Sequence, residues 1–285
     1  MKTLSAFLLC VFSGVALSTA GCRDDDSKKS PLDPNVPPVT QGNWYRPSAS
    51  TTWQWQLTGA VNTGYDVDVY DIDLFDSDTA LIESLQASGK RVICYFSCGS
   101  SEDWRPDFDE FEDDDMGGPL DEWEGERWLD IRSANVHRIM LERLDLAVTK
   151  GCDGVEPDNM DGYVNDTEFS LSSNDQLGFN RFIANAAHER NLAVGLKNDG
   201  GQVLQLVDYF DFELNEECHD YDECDELHPF VASDKPIFNA EYENTEAAAT
   251  TLATTLCPTA VTENIRTLIM PLDLDDEFRV SCDDL

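Results

Sequence analysis

Short runs in which apolar and polar positions alternate recur along most of the chain, separated by stretches with helical spacing. Eight runs read as strands: TTWQWQL (51–57), VDVYDIDLF (67–75), RVICYFS (91–97), DGVEPDN (153–159), LAVGLKN (192–198), YFDFELNE (209–216), PIFNAEY (236–242) and IRTLIMPLDL (265–274). Helices are predicted over 79–88, with Leu81, Ile82 and Leu85 on one face, and over 135–150, with Val136, Ile139, Met140, Leu144 and Ala147. A third is predicted over 174–190, with Phe182, Ile183, Ala186 and Ala187. Strands alternating with helices predict a parallel sheet closed into a (β/α)8 TIM barrel of the α/β class. No helix is expected between the first two strands, where only TGAVNTGY intervenes. The acidic, aromatic segment 101–126 is expected to be a loop over the barrel mouth.

The barrel pattern occupies 44–285, and what precedes it has another character. Residues 1–21 carry Lys2, an apolar run from Leu4 to Leu17 and then Ser-Thr-Ala-Gly, which is too short to span a bilayer and suits a secretory signal peptide. The stretch Thr19-Ala20-Gly21-Cys22 resembles a bacterial lipoprotein cleavage box, implying a lipid anchor on Cys22, with plain secretion as the alternative. Residues 22–43 are charged and proline-rich, and are expected to form a disordered linker. With 57 acidic against 19 basic residues and a net charge of −38, the chain is excluded as a nucleic-acid binder. Its field concentrates cations, although a saline habitat would also favour such acidity. In an exported chain cysteines are read as disulfides, with Cys218–Cys224 and Cys257–Cys282 favoured. A zinc site on Cys218, His219, Cys224 and His228 matches no common finger spacing. No metal, cofactor or oligomeric partner is expected, so the chain reads as a monomer.

Barrel enzymes place their chemistry at the carboxyl ends of the strands. Polar residues gather there in seven of the eight runs: Asp73, Tyr95, Glu156 and Asp158, Lys197 and Asn198, Asn215 to Glu217, Glu241 and Tyr242, and Asp273. In the fourth strand Val155 is expected to face the helices, so Glu156 and Asp158 share the inward face. In the sixth, Phe210, Phe212 and Leu214 are read as outward and Asp211, Glu213 and Asn215 as inward. Beyond the strand the alternation does not choose between Glu216 and Glu217. One carboxylate from strand four and one from strand six would face each other across the mouth, the arrangement that glycoside hydrolysis needs. Trp53, Trp55, Trp104, Trp123 and Trp128 lie near strand ends and loops, where rings stack on sugar faces, although core packing accounts for some equally well. The chain has no G-x-S-x-G, no glycine-rich phosphate loop and no H-E-x-x-H.

The segments WQWQL, DVYDIDLFD, VICYFSCGSSEDWRP, WLDIR, KGCDGVEPDNMDGY, GLKN, FELNEEC, YDEC and EY together resemble glycoside hydrolase family 114, the endo-α-1,4-polygalactosaminidases. The resemblance implies a TIM barrel that cleaves α-1,4-linked galactosamine polymer internally, with retention of configuration. It implies Asp158 as nucleophile and Glu216 as general acid and base, with Asp73, Tyr95, Lys197, Asn215 and Glu241 around the substrate; Glu156 joins them as a substrate-binding candidate. Cys98 departs from the small residue usual at its place and leaves the pairing among Cys94, Cys98 and Cys152 open. Deacetylated galactosamine is a cation near neutral pH, so the expected partner is a cationic amino-sugar polysaccharide. The alternative is a surface lipoprotein of the same fold that binds polysaccharide without cleaving it.

Overall fold

In the computed structural model, which describes residues 32–121 and 123–285, eight parallel strands form the wall. They are β1 (Trp53–Gln56), β2 (Val69–Asp73), β3 (Arg91–Ser97), β4 (Gly154–Asp158), β5 (Ala193–Lys197), β6 (Phe212–Glu216), β7 (Ile237–Tyr242) and β8 (Ile265–Met270). Each pairs with the next in chain order. All eight coincide with the expected runs, trimmed at the ends.

The strands are buried on both faces, because one packs on helices and the other fills the barrel. Outward residues such as Ile72, Cys94, Phe96, Val155, Leu196 and Ile269 share one cluster with Ile82 and Leu85 of α1 (Thr79–Ala87), Ile139 and Leu144 of α2 (Ala134–Lys150) and Phe179 and Ile183 of α3 (Ser173–Glu189). Inward residues Trp53, Trp55, Val69, Ile93, Phe212, Leu214, Phe238, Ala240 and Leu268 form a second cluster. The Trp53 ring stacks on Phe238 at 4.8 Å, and Phe238 meets Phe212 at 5.4 Å, so β1 touches β7 through the interior and β7 touches β6. Among the described residues no ladder joins β8 to β1. The seam is filled by the chain after β8: the strand Val280–Ser281 pairs antiparallel with β8, Arg279 donates to the Trp53 carbonyl at 3.1 Å, and Leu57 N donates to the Leu274 carbonyl at 3.1 Å.

The helix ends follow their capping residues. Ser133 accepts from the backbone N–H groups of Asn135 and Val136 to start α2, and Gly151 stops it at φ 87°. Ser172 and Asp175 form a reciprocal capping box on α3. Two short helices follow, α4 (Val203–Leu206) and α5 (His228–Ala232), and then α6 (Glu246–Glu263).

Two expectations are corrected, and one helix is present that the sequence reading did not include. The long helix α6 was not visible in the pattern, because EAAATTLATTLCPTAVTE has few large apolar residues and contains Pro258. It docks through the small residues Ala249, Ala253, Cys257 and Ala260, and a disulfide ties Cys257 to Cys282. Segment 101–126 is not a plain loop. Ser100–Glu102, Met116–Pro119 and Glu126–Leu129 make a three-stranded antiparallel sheet beside the mouth. Of the linker expected over 22–43, residues 32–43 are ordered. Its backbone lies on α3, with Val39 N donating to Asn185 Oδ1 at 2.7 Å, Asn185 Nδ2 to the Pro37 carbonyl at 3.0 Å, and Trp44 stacked on His188 at 4.0 Å. The signal peptide and Cys22 lie outside the described residues.

Cys94 pairs with Cys152 and Cys218 with Cys224, while Cys98 is free and buried. The favoured pairs form, and the open question among Cys94, Cys98 and Cys152 is answered. The zinc reading is set aside, because both of its sulfurs are spent in a disulfide. Three disulfides suit an exported protein. Among the described residues no helix is long and apolar enough to cross a membrane.

Candidate active site

A cavity of about 750 Å³ opens at the carboxyl ends of the strands. Inward parity delivers its floor. On β4, Gly154, Glu156 and Asp158 pair with Ile93, Tyr95 and Ser97 of β3, and Lys197 on β5 pairs with Leu214 of β6. Phe212, Leu214 and therefore Glu216 point inward from β6, as do Phe238, Ala240 and Tyr242 from β7.

Lys197 is the hub. Its ammonium, buried at 2% exposure, donates to Asp158 Oδ1 at 3.1 Å and is ion-paired with Glu156 Oε1 and Glu216 Oε2, each at 3.2 Å, so one cation is shared by three carboxyl groups. Those charges hold the lysine well above its ordinary value against a strong pull downward from burial. Asp158 also accepts from the Tyr95 hydroxyl at 2.9 Å and from Asn159 N at 2.7 Å. Glu216 accepts from Asn198 Nδ2 at 3.2 Å and from the Tyr242 hydroxyl. Because Asp158 Oδ1 and Glu216 Oε2 lie 3.1 and 3.2 Å from one nitrogen, they are separated by at most the sum of those legs, 6.3 Å.

The turns that leave these strands are left-handed. Asn159, Asn198 and Glu217 follow directly on Asp158, Lys197 and Glu216 with φ of 60°, 53° and 60°. Asparagine tolerates that region, and at Glu217 the turn carries the chain out of the mouth, which leaves Glu216 in the cavity. Gly99, after β3, passes so close to Asn159 that a Cβ would stand 1.8 Å from its carbonyl oxygen. Only glycine lets β3 support the turn beyond Asp158.

The sequence-predicted residues divide into groups. Asp73, Tyr95, Asp158, Lys197 and Glu216 line the cavity. Glu156 is fully buried just beneath them, with Oε2 accepting from Trp55 Nε1 at 3.1 Å. Asn215 and Glu241 do not reach it, because the inward places on β6 and β7 belong to Leu214 and Phe238. That inverts the facing expected for strand six, so Glu213 also points outward. Glu241 accepts from the backbone N–H of His219 at 3.0 Å and so braces the turn after β6, while Asn215 donates to Asn198 Oδ1 at 3.3 Å. Asp73 is clamped by Arg105, with contacts of 3.1 and 2.6 Å, and Arg105 also pairs with Glu102 at 2.7 Å. Alternation could not reveal Arg105, Glu102 and Glu126, which come from the small antiparallel sheet and its turns.

Among the described residues the lining holds eleven carboxylates and only two cations, Arg105 and Lys197, both already paired. The field inside is therefore negative. Burial pushes Glu126 up to about 7 and Asp161 up to about 6. Trp104 and Trp123 stand at the rim about half exposed, at 51% and 48%, while Trp55 and Trp128 form inner walls; Trp53 belongs to the interior packing.

Comparison with known proteins bears on this arrangement. The model of glycoside-hydrolase family GH114 matches residues 34–285. The solved structure of Aspergillus fumigatus Ega3 in complex with galactosamine is 44% identical, with 86% of this chain and 99% of that one covered and a TM-score of 0.80. The glycoside hydrolase domain of PelA from Pseudomonas aeruginosa is 14% identical over 81% of this chain and 98% of its own, with a TM-score of 0.64, a likeness of fold. Comparison with curated proteins gave no match. A barrel whose mouth gathers carboxylates, matched over nearly all its described length by one family model, is a glycosidase, and the chain belongs to glycoside-hydrolase family GH114.

Proposed function

We propose that the protein is an endo-acting, retaining glycosidase that cleaves α-1,4-linked galactosamine polymer. The observation that carries this reading is the pair Asp158 and Glu216 held on one lysine with oxygens no more than 6.3 Å apart. Retaining enzymes keep their carboxyl groups about 5–5.5 Å apart, whereas inverting ones need roughly 6.5–9.5 Å to admit a water. Glu216 takes up a proton when substrate binds and gives it to the glycosidic oxygen while Asp158 attacks the anomeric carbon and forms a glycosyl ester. Glu216, now a carboxylate, takes a proton from a water that attacks the same carbon and releases Asp158. Lys197 and Tyr95 hold the attacking carboxylate in place.

The substrate class rests on two supports. The acidic lining, with no unpaired cation among its described residues, favours a cationic sugar, and the 44% identical Ega3 was solved with galactosamine. The proposal includes export of a monomer anchored through an acylated Cys22.

The test incubates purified protein with deacetylated and acetylated galactosamine polymers and follows oligomers by mass spectrometry and the new anomeric centre by NMR. Oligomers of several lengths with retained configuration, released from the deacetylated polymer at a rate that falls with added salt, are expected. D158N and E216Q should each lose at least about 10³-fold in kcat. Unchanged turnover by both variants would overturn the assignment.

A further inference from the structure

One buried carboxyl at the mouth is not used by the proposed reaction. Of the eleven lining carboxylates five pair with Arg105 or Lys197, and of the other six only Glu126 is buried, at 7% exposed, while the rest are exposed or partly exposed. Glu126 lies directly opposite Glu102 in the small antiparallel sheet. Glu102 is neutralised by Arg105 at 2.7 Å and Arg143 at 3.6 Å, but Glu126 has no cation among the described residues. Hydrogen bonds hold one of its oxygens and leave the other. Ser97 Oγ accepts from Ser100 N at 3.2 Å and from Asn159 Nδ2 at 3.0 Å, so its own O–H goes to Ser100 Oγ at 2.6 Å. Ser100 Oγ also accepts from Asn159 Nδ2 at 3.3 Å, so its O–H goes to Glu126 Oε2 at 2.6 Å. This one-way chain starts at Asn159, the residue after Asp158, and ends on Glu126 as an acceptor. Glu126 Oε1 receives no N–H or O–H from any described residue, and the side chain lines the cavity.

Two aromatic rings lie beside it. Glu126 N donates to the Trp123 carbonyl at 3.2 Å, and a Cβ on Gly125, at φ 96°, would stand 3.0 Å from the Trp104 ring. Both half-exposed tryptophans therefore adjoin the turn that carries Glu126. A buried carboxylate with a free oxygen toward a cavity, beside aromatic rings, is half of an ammonium site. We propose that Glu126 is a specificity-determining residue, whose carboxylate takes the ammonium of a galactosamine residue next to the cleaved bond. The inference rests on the roles given above to Asp158 and Glu216, and it names what selects the deacetylated sugar. An N-acetylated residue brings no charge to offset the buried carboxylate. Burial pushes the Glu126 carboxyl up to about 7, and a bound ammonium supplies the missing counter-charge.

The test measures kcat and KM of E126Q on the deacetylated polymer, and inhibition of that reaction by galactosamine and by galactose, beside wild type and D158N. Glutamine keeps the size of the side chain and an oxygen for Ser100, so the charge alone is lost. KM should rise about tenfold or more, and inhibition by galactosamine should weaken by a similar factor while that by galactose stays within about twofold. Because an unpaired buried carboxylate costs stability, E126Q should melt no lower than wild type. Glu126 loses this role if KM is unchanged, if wild type favours galactosamine no more than galactose, or if inhibition by the two sugars weakens equally. It loses it too if E126Q melts lower or fails to fold, which marks a structural residue. A wild type that leaves the polymer intact, or a D158N as fast as wild type, defeats the reading of the site; an active wild type whose E126Q variant keeps the preference for galactosamine defeats only this inference.

Discussion

Lys197→Met is the sharpest perturbation of the site, since it removes one charge from among three carboxylates and leaves a side chain of similar length. At contacts of 3.1–3.2 Å each attraction is about 5 kcal/mol with an effective dielectric near 20, mostly offset by the cost of drying the ammonium. Without the lysine, Asp158 and Glu216 repel by at least about 2.6 kcal/mol at their maximum separation of 6.3 Å, and Glu156 adds more. The variant relieves this by binding a proton that the unfolded chain, with carboxyls near 4, has already released. Its native state then holds more protons than its unfolded state, so its stability falls as pH rises relative to wild type. The deficit should be about 1–2 kcal/mol at pH 5 and about 3–5 kcal/mol at pH 8, with kcat down at least about 100-fold. Denaturant titrations at the two pH values, with equal slopes, measure the first, and turnover measures the second. Lys197→Arg restores charge but not a three-point tripod, so it should regain stability and leave kcat low. A deficit that is the same at both pH values, or smaller than about 1 kcal/mol, refutes the charge argument.

Two further outcomes follow from the same chemistry. Trp104 and Trp123 offer half-exposed rings at the rim, so the double alanine variant should lose about 10-fold in kcat/KM, chiefly in KM, with Tm within about 1 °C of wild type; an unchanged kcat/KM removes them from substrate contact. Eight carboxyls titrate high in the folded protein, each pushed up first by burial: Asp161 at about 6, Glu126 at about 7, Asp71 and Asp199 at about 8, Glu102 and Glu241 above their ordinary values, and Glu156 and Glu213 well above theirs. The folded state therefore keeps protons that the unfolded chain gives up, and wild-type stability should fall from about pH 4 through 8 and go on falling above, opposed near pH 6 by His137 and His219, which burial lowers. A denaturant midpoint that rises steadily across that range contradicts the picture.

The barrel was legible because its strands carry a period that no helix imitates. Ile72, Cys94, Val155 and Leu196 meet helices, and their neighbours in sequence fill the interior. What escaped is what that period does not encode. Helix α6 packs by alanines, so its buried side makes little contrast with its exposed threonines, and Pro258 argues locally against it. The ordered strap at 32–43 has almost no apolar content to announce it; its carbonyls and amides are satisfied by Asn185, Arg181 and Tyr209, partners some 150 residues away in sequence.

The inverted face of β6 shows the limit most clearly. Alternation groups Phe212 with Leu214 and Glu213 with Asn215, and that grouping is correct; it does not say which group is inside. In a half-solvated sheet the apolar group would face the core, but a barrel wall has two apolar faces, and the large residues Phe212, Phe238, Trp53 and Trp55 fill the lumen. On β4 the pairing of Glu156 and Asp158 with Lys197 marks the inner face, whereas Glu213 on β6 lies buried on the outer face with neither oxygen hydrogen-bonded. A shared cation, rather than burial of a carboxyl as such, therefore marks the facing where hydrophobicity cannot. Extended to β6, that criterion selects Glu216, whose carboxylate reaches the same ammonium, over Glu241, whose partners are a backbone N–H and Asn239 on the outer face. A cation shared between strands is thus a better guide to an active-site acid than its position at a strand end.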